Sequence, residues 1–165
     1  MTLAAPLLAC MALSASLNGI PPRVLPALHA VEGGQIGSVH RNANGTSDYG
    51  VMQVNSRWLP TLASSLELPP NDVRQRLIAD GCFNILIAGV IFGIYLDEEN
   101  GDLARAIGDY NSHTAWFNAS YQLKVGIAAL RQTLAATTKA VAGRQPSPDR
   151  GGTTIGRIEN MPSME

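Results

Sequence analysis

The chain has 165 residues, 45% of them hydrophobic and 15% charged, with a formal net charge of −1. That length suffices for one domain with a real core and falls short of two. Lys and Arg are scattered, so no electrostatic footprint for nucleic acid or an anionic membrane is expected, and Cys10 and Cys82 lack the Cys/His spacing of a structural metal site.

Apolar spacing over residues 3–17 (Leu7, Cys10, Met11, Leu13) predicts a short helix closed by Asn18-Gly19. No positive stretch precedes it, so it makes a poor secretory signal and reads as the first helix of a mature domain. Leu7-Leu8-Ala9-Cys10 only loosely resembles a lipoprotein cleavage box. Pro21-Pro22 is expected to start a second helix, with Pro26 still in its first turn. Val24, Leu25, Leu28 and Val31 form its inner face, and Gly33-Gly34 stop it.

Residues 35–55 lack helical period and carry turn chemistry, notably Asn42-Ala43-Asn44-Gly45. A small irregular β-hairpin is expected there, with Val39 and Val51 to Val54 in its extended parts. Asn55 or Ser56 caps the next short helix, which Pro60 limits. Pro69-Pro70-Asn71-Asp72 opens another, ending at Asp80-Gly81. Residues 82–98 form the strongest helix, apolar on most faces through Phe83, Ile87, Val90, Ile91, Ile94 and Tyr95. Its apolar stretch is shorter than the ~20 residues of a membrane span, so it reads as the central core helix. A short helix over residues 103–110 and a last long one within 115–142 follow, the latter placing Tyr121, Val125, Ala129 and Leu130 on one face. Trp58 and Trp116 are expected as core anchors, with sugar stacking as the lesser alternative. The chain is therefore expected to be mainly α, with a globular unit over residues 1–140 and a disordered tail over 141–165, rich in Pro, Gly, Ser, Asp and Arg.

Chemistry concentrates at Glu32, placed at a helix C-terminus before Gly33-Gly34 and followed by a loop rich in hydrogen-bonding side chains. The negative end of the helix dipole and apolar neighbours both disfavour its ionisation. A Glu kept protonated near neutral pH can donate a proton to a glycosidic oxygen. Asp48 follows at an interval that lets a second carboxylate sit across the same cleft, though a capping role in the turn remains its alternative. His29, His40 and His113 form no ligand pattern, and no metal or cofactor is expected.

Glu32-Gly33, Asn44-Gly45-Thr46 with Asp48, Gly50-Val51-Met52-Gln53, Asp80-Gly81-Cys82-Phe83-Asn84 and Asp109-Tyr110-Asn111 occur in an order that resembles lytic transglycosylases of the soluble, lysozyme-like type. The closest flavour is the small kind that accompanies conjugation and type III or type IV secretion machines. The resemblance covers roughly residues 5–135, through several short motifs. It implies a goose-lysozyme-like α domain in the bacterial periplasm, cleaving the β-1,4 bond between N-acetylmuramic acid and N-acetylglucosamine with a 1,6-anhydro product. Glu32 would be the catalytic acid. Gln53 would line the sugar groove with Met52 beside it, Tyr110 would hydrogen-bond near the Glu32 carboxyl, and Asn111 would steady the loop.

The family usually has Ser where this chain has Gly33, and Ala where it has Asp109. A Cys10–Cys82 disulfide is also implied, which fits an oxidising compartment. Peptidoglycan strands are the implied substrate, a conjugation or secretion apparatus the implied partner, and the protein itself is expected to be a monomer. Hydrolysis by Glu32 with Asp48, as in a muramidase, and a non-catalytic glycan-binding module remain alternatives.

Overall fold

The computed structural model describes residues 4–143. Among them, seven α-helices and one three-stranded antiparallel sheet are arranged around a single core in which Leu25, Leu28, Met52, Leu77, Ile85 and Phe92 are fully buried. Helix α1 (Ala5–Leu17) carries Pro6 in its first turn, where a missing N–H costs nothing, and ends at Asn18 before Gly19 at φ 63°. It turns Met11, Ser14 and Ala15 inward and leaves Leu13, one of the apolar positions whose spacing pointed to a helix, 51% exposed. The reason is a close helix crossing. Ser14 Oγ donates to the Ile85 carbonyl at 3.1 Å and occupies the space where a Cβ at Gly89 would lie.

Helix α2 (Val24–Glu32) starts later than Pro21-Pro22 suggested, because a turn closed by the Val24 N–H on the Pro21 carbonyl precedes it. Pro26 lies in its first turn, as expected. Gly33, at φ 68°, ends it in the left-handed conformation, and its N–H bonds the His29 carbonyl.

The expected hairpin is instead three strands, β1 (Val39–Arg41), β2 (Ser47–Tyr49) and β3 (Val54–Asn55), in that order. Val39 pairs with Tyr49, and Asp48 pairs with Asn55. Val51 to Gln53 are not extended. Gly50 at φ 70° and Gln53 at φ 52° fold them into a tight turn that returns the chain against β2.

Asn55 caps a 3₁₀ turn (Ser56–Trp58), accepting from the Arg57 N–H at 3.0 Å. Helix α3 (Leu59–Leu66) follows, with Pro60 in its first turn, so this proline opens the helix where a limit was expected. Helix α4 (Pro70–Ala79) leads to Asp80, whose side chain accepts from the Phe83 N–H and caps α5 (Gly81–Glu98).

Helix α5 packs on α1, α4 and α6. By length and composition alone it could cross a membrane, yet Asn84, Ile85, Ala88 and Phe92 on it are fully buried in the core. Val90 and Ile94 are 46% and 37% exposed, so its apolar character is not spent wholly on the interior. A disulfide joins Cys10 of α1 to Cys82 of α5, with Cα atoms 5.5 Å apart.

Helix α6 (Leu103–Asn111) is capped by Asp102, which accepts from the Ala104 and Arg105 N–H groups. Helix α7 (Ala115–Ala142) buries fully only Tyr121 and Val125. Trp116, expected in the core, is 78% exposed at its start. The tail expected from residue 141 lies, beyond Gly143, outside the described residues.

Candidate active site

The C-terminal end of α2 is held against the 50–53 turn. Gly34 makes this possible: a Cβ there would stand 2.3 Å from the Gly50 carbonyl oxygen and 2.9 Å from Gln53 Nε2. Asn84 fixes the far side of the same turn. Its Oδ1 accepts the Met52 N–H at 2.7 Å, while its Nδ2 donates to the Tyr49 and Leu77 carbonyls at 2.8 and 3.0 Å. One fully buried amide thus ties α5, α4, β2 and the turn together.

Around this frame lies a polar cleft of about 830 Å³, lined by Glu32, Asp48, Gln53, Tyr110 and Asn111, with Trp58, Tyr95 and Asp109 among the others. Glu32 enters it from the end of α2. Removal from water raises its carboxyl pKa above the usual value, and the charge of Asp48 pushes the same way. A hydrogen bond from the Tyr121 hydroxyl to Glu32 Oε1 opposes the shift without cancelling it. Burial, followed by the Glu32 charge, raises the Tyr121 phenol far beyond its ordinary range, so Tyr121 stays a donor. The shift favours the protonated carboxyl, the form that can donate a proton.

Asp48 stands on β2 with both oxygens engaged. Asn42 Nδ2 donates to Oδ2 at 2.8 Å and Asn55 Nδ2 to Oδ1 at 2.6 Å. The same two amides also donate to Thr46 Oγ1, and Asn44 Oδ1 accepts from the Thr46 hydroxyl at 2.7 Å. A carboxylate gripped in this way is a fixed centre of negative charge facing the cleft.

Gln53 lines the cleft, but its Nε2 is used internally, donating to the Gly50 carbonyl at 2.7 Å and to Ser38 Oγ at 3.1 Å. Met52, expected beside the groove, is fully buried and does not line it. A thioether so placed packs in the core, and the residue serves the cleft through its backbone. Its carbonyl accepts the Tyr110 hydroxyl at 3.0 Å. Tyr110 therefore lies in the cleft with its hydroxyl committed to Met52, and the phenol bonded to Glu32 is Tyr121. Burial, then the nearby Glu32 charge, holds the Tyr110 pKa well above its usual value.

Asn111, exposed at the end of α6, borders the cleft. Asp109 turns inward. Its Oδ1 accepts from Asn118 Nδ2 at 2.7 Å, and its buried Oδ2 has no hydrogen-bond partner among the described residues.

Sequence reasoning missed three contributors. Tyr121 was legible only as an inward-facing position of α7, since nothing local ties it to a carboxylate 89 residues earlier. Asn42 and Asn55 read as turn and cap residues, and only the pairing of β2 with β1 on one side and β3 on the other brings them onto Asp48. Trp58, half-buried, meets Tyr95 edge-on at 6.1 Å, and Tyr95 meets His113 at 5.4 Å, giving the cleft an aromatic wall. Among the described residues no cluster of His, Cys, Asp and Glu could hold a metal ion. No protein-family model matches this chain, and no curated protein matches it.

Proposed function

We propose that this protein is a peptidoglycan lytic transglycosylase with a lysozyme-like α domain, cleaving the bond between N-acetylmuramic acid and N-acetylglucosamine. The observation that carries the reading is Glu32: a carboxyl at a helix C-terminus, desolvated, raised in pKa and oriented by Tyr121 within a polar cleft. The order of the short motifs, from Glu32-Gly33 to Asp109-Tyr110-Asn111, supports it independently.

Glu32 gives its proton to the glycosidic oxygen as that bond breaks. The sugar's own N-acetyl oxygen supports the resulting cation, with the fixed charge of Asp48 facing the cleft. Glu32, now a base, takes the proton of the muramic C6 hydroxyl as that oxygen closes the 1,6-anhydro ring. The proton lent in the first step is recovered in the second, and no water is consumed. The disulfide suits a periplasmic setting. The biological role that fits is local opening of the cell wall for a conjugation or secretion apparatus.

A second reading, hydrolysis, is favoured by one observation. Asp48 is close enough for its charge to raise the Glu32 pKa, and it is rigidly held, as a cation-stabilising or water-positioning partner would be. Substitution Glu32→Gln tests the shared core of both readings. Release of soluble fragments from peptidoglycan should fall by about 10²-fold or more while glycan binding is retained. Fragment release by Glu32→Gln at the wild-type rate would refute an acid role. Absence of release even by the wild type, with glycan bound, would leave a binding module.

A further inference from the structure

On the outer surface of α7, Trp116, Leu123, Ile127, Leu130, Leu134 and Val141 are 78%, 66%, 41%, 65%, 67% and 68% exposed. Their spacing steps by four, three or a full seven residues, which is the heptad seam by which one helix receives another. Ser120 and Thr137 fall on the two remaining seam positions. Between them, Leu123, Ile127, Leu130 and Leu134 form an unbroken exposed apolar strip, and such a strip marks an interaction site.

Beside the seam runs a groove of about 900 Å³ between α7, α2 and α6, whose walls include Val24, Leu103, Ile107 and Ile127. It shares no lining residue with the polar cleft.

The flanks carry one sign of charge. Lys124 and Arg131 directly follow seam residues Leu123 and Leu130, and α7 contains no Asp or Glu. On the other side, Arg23 lines the groove and donates to Thr133, which directly precedes seam residue Leu134. No carboxylate lines the groove among the described residues.

We infer that this seam and groove form a docking site for an α-helix of another protein, apolar along its own heptad seam and flanked by Asp or Glu. Charge complementarity selects this occupant. A second copy of α7 in antiparallel register would set Lys124 and Arg131 against themselves. In parallel register it would set them against Thr133 with its attached Arg23, and among the described residues neither α7 nor the groove offers an anion. A lipid surface fits less well. Interfacial helices present a broad apolar face and a strongly charged one, whereas here the seam is narrow, a groove lies beside it, and much of the remaining surface of α7 is Ala, Gln and Thr.

The test is a fluorescence-anisotropy titration of the full chain with a synthetic helical peptide of α7's length. It carries Leu on both seam positions of each heptad and Glu on the flanking positions. Saturable binding is expected, weakened about tenfold or more by Leu130→Asp and reduced by added salt. A peptide with Lys in place of each Glu should bind at least about tenfold more weakly. Leu130 is largely exposed, so Leu130→Asp should melt like the wild type. If it does not, Leu134→Gln serves in its place.

Equal affinity for the two peptides, or binding of neither, overturns the inference. So does a dimer in sedimentation equilibrium that Leu130→Asp dissociates, which would assign the seam to a second copy. Uptake onto phosphatidylglycerol vesicles that the same substitution abolishes, without peptide binding, would assign it to lipid.

Discussion

Glu32 is the residue on which the chemistry turns, and its environment sets two signs. Its folded-state pKa lies above the ordinary 4.5, so the protonated form is the one the fold favours. That contribution to stability is fully present below about pH 4.5 and is lost as pH rises through the folded value. Glu32→Gln, neutral at every pH, should therefore melt like the wild type near pH 4 and higher than it at pH 8, while losing turnover. Equal melting temperatures at both pH values would show that Glu32 is not desolvated.

The second sign concerns Tyr121. Its hydrogen bond favours the Glu32 carboxylate, so Tyr121→Phe should raise the Glu32 pKa further. The alkaline limb of the pH–activity profile, where the acid loses its proton, should move to higher pH even as the maximum falls. A limb that stays put or moves down contradicts the assignment. Glu32 itself was legible in the sequence because Gly33-Gly34 can only stop a helix there. Tyr121 was not, because a heptad-like face reports direction and says nothing about the partner met.

At the scale of elements, the turn between β2 and β3 is the part that sequence described least well. Val51 and Val54 suggested extended chain, but Gly50 and Gln53, both in the left-handed region, bend it, and Asn84 fastens it from α5. Pattern reasoning sees β-branched residues and misses a long-range amide clamp. Asn84→Ala would strand the Met52 N–H and two carbonyls in the core, at a cost of about 2–4 kcal/mol. A urea titration should show it, and a change under about 1 kcal/mol would mean the clamp is not formed. Gly34→Ala should be comparably harmful and should cut glycan release more than glycan binding. It pushes α2, and Glu32 with it, away from the turn.

For the whole molecule, the helix positions read well from the sequence, since Pro69-Pro70 and the terminating Gly19 and Gly33 are local signals, although the caps Asp80 and Asp102 were not recognised as such. Which apolar residues face inward read less well. Leu13, Val90 and Ile94 counted as apolar positions of α1 and α5 and lie on the surface, because small residues such as Ser14, Ala15 and Gly89 let these two helices approach closely and set their rotation, while Trp116 is exposed at the start of α7.

The Cys10–Cys82 bridge closes a loop of 72 residues across this contact. A loop of that size contributes about 4 kcal/mol, so reduction should lower the urea midpoint markedly, and an unchanged midpoint would exclude a stabilising role.

The central claim concerns the fate of the glycosidic bond, and product mass addresses it most directly. Oxidised protein is incubated with peptidoglycan and the released muropeptides are weighed by mass spectrometry. Products lighter by one water than reducing-end muropeptides, absent with Glu32→Gln, are the predicted result. Reducing-end products would contradict it, and would make the protein a muramidase with Asp48 as partner to Glu32.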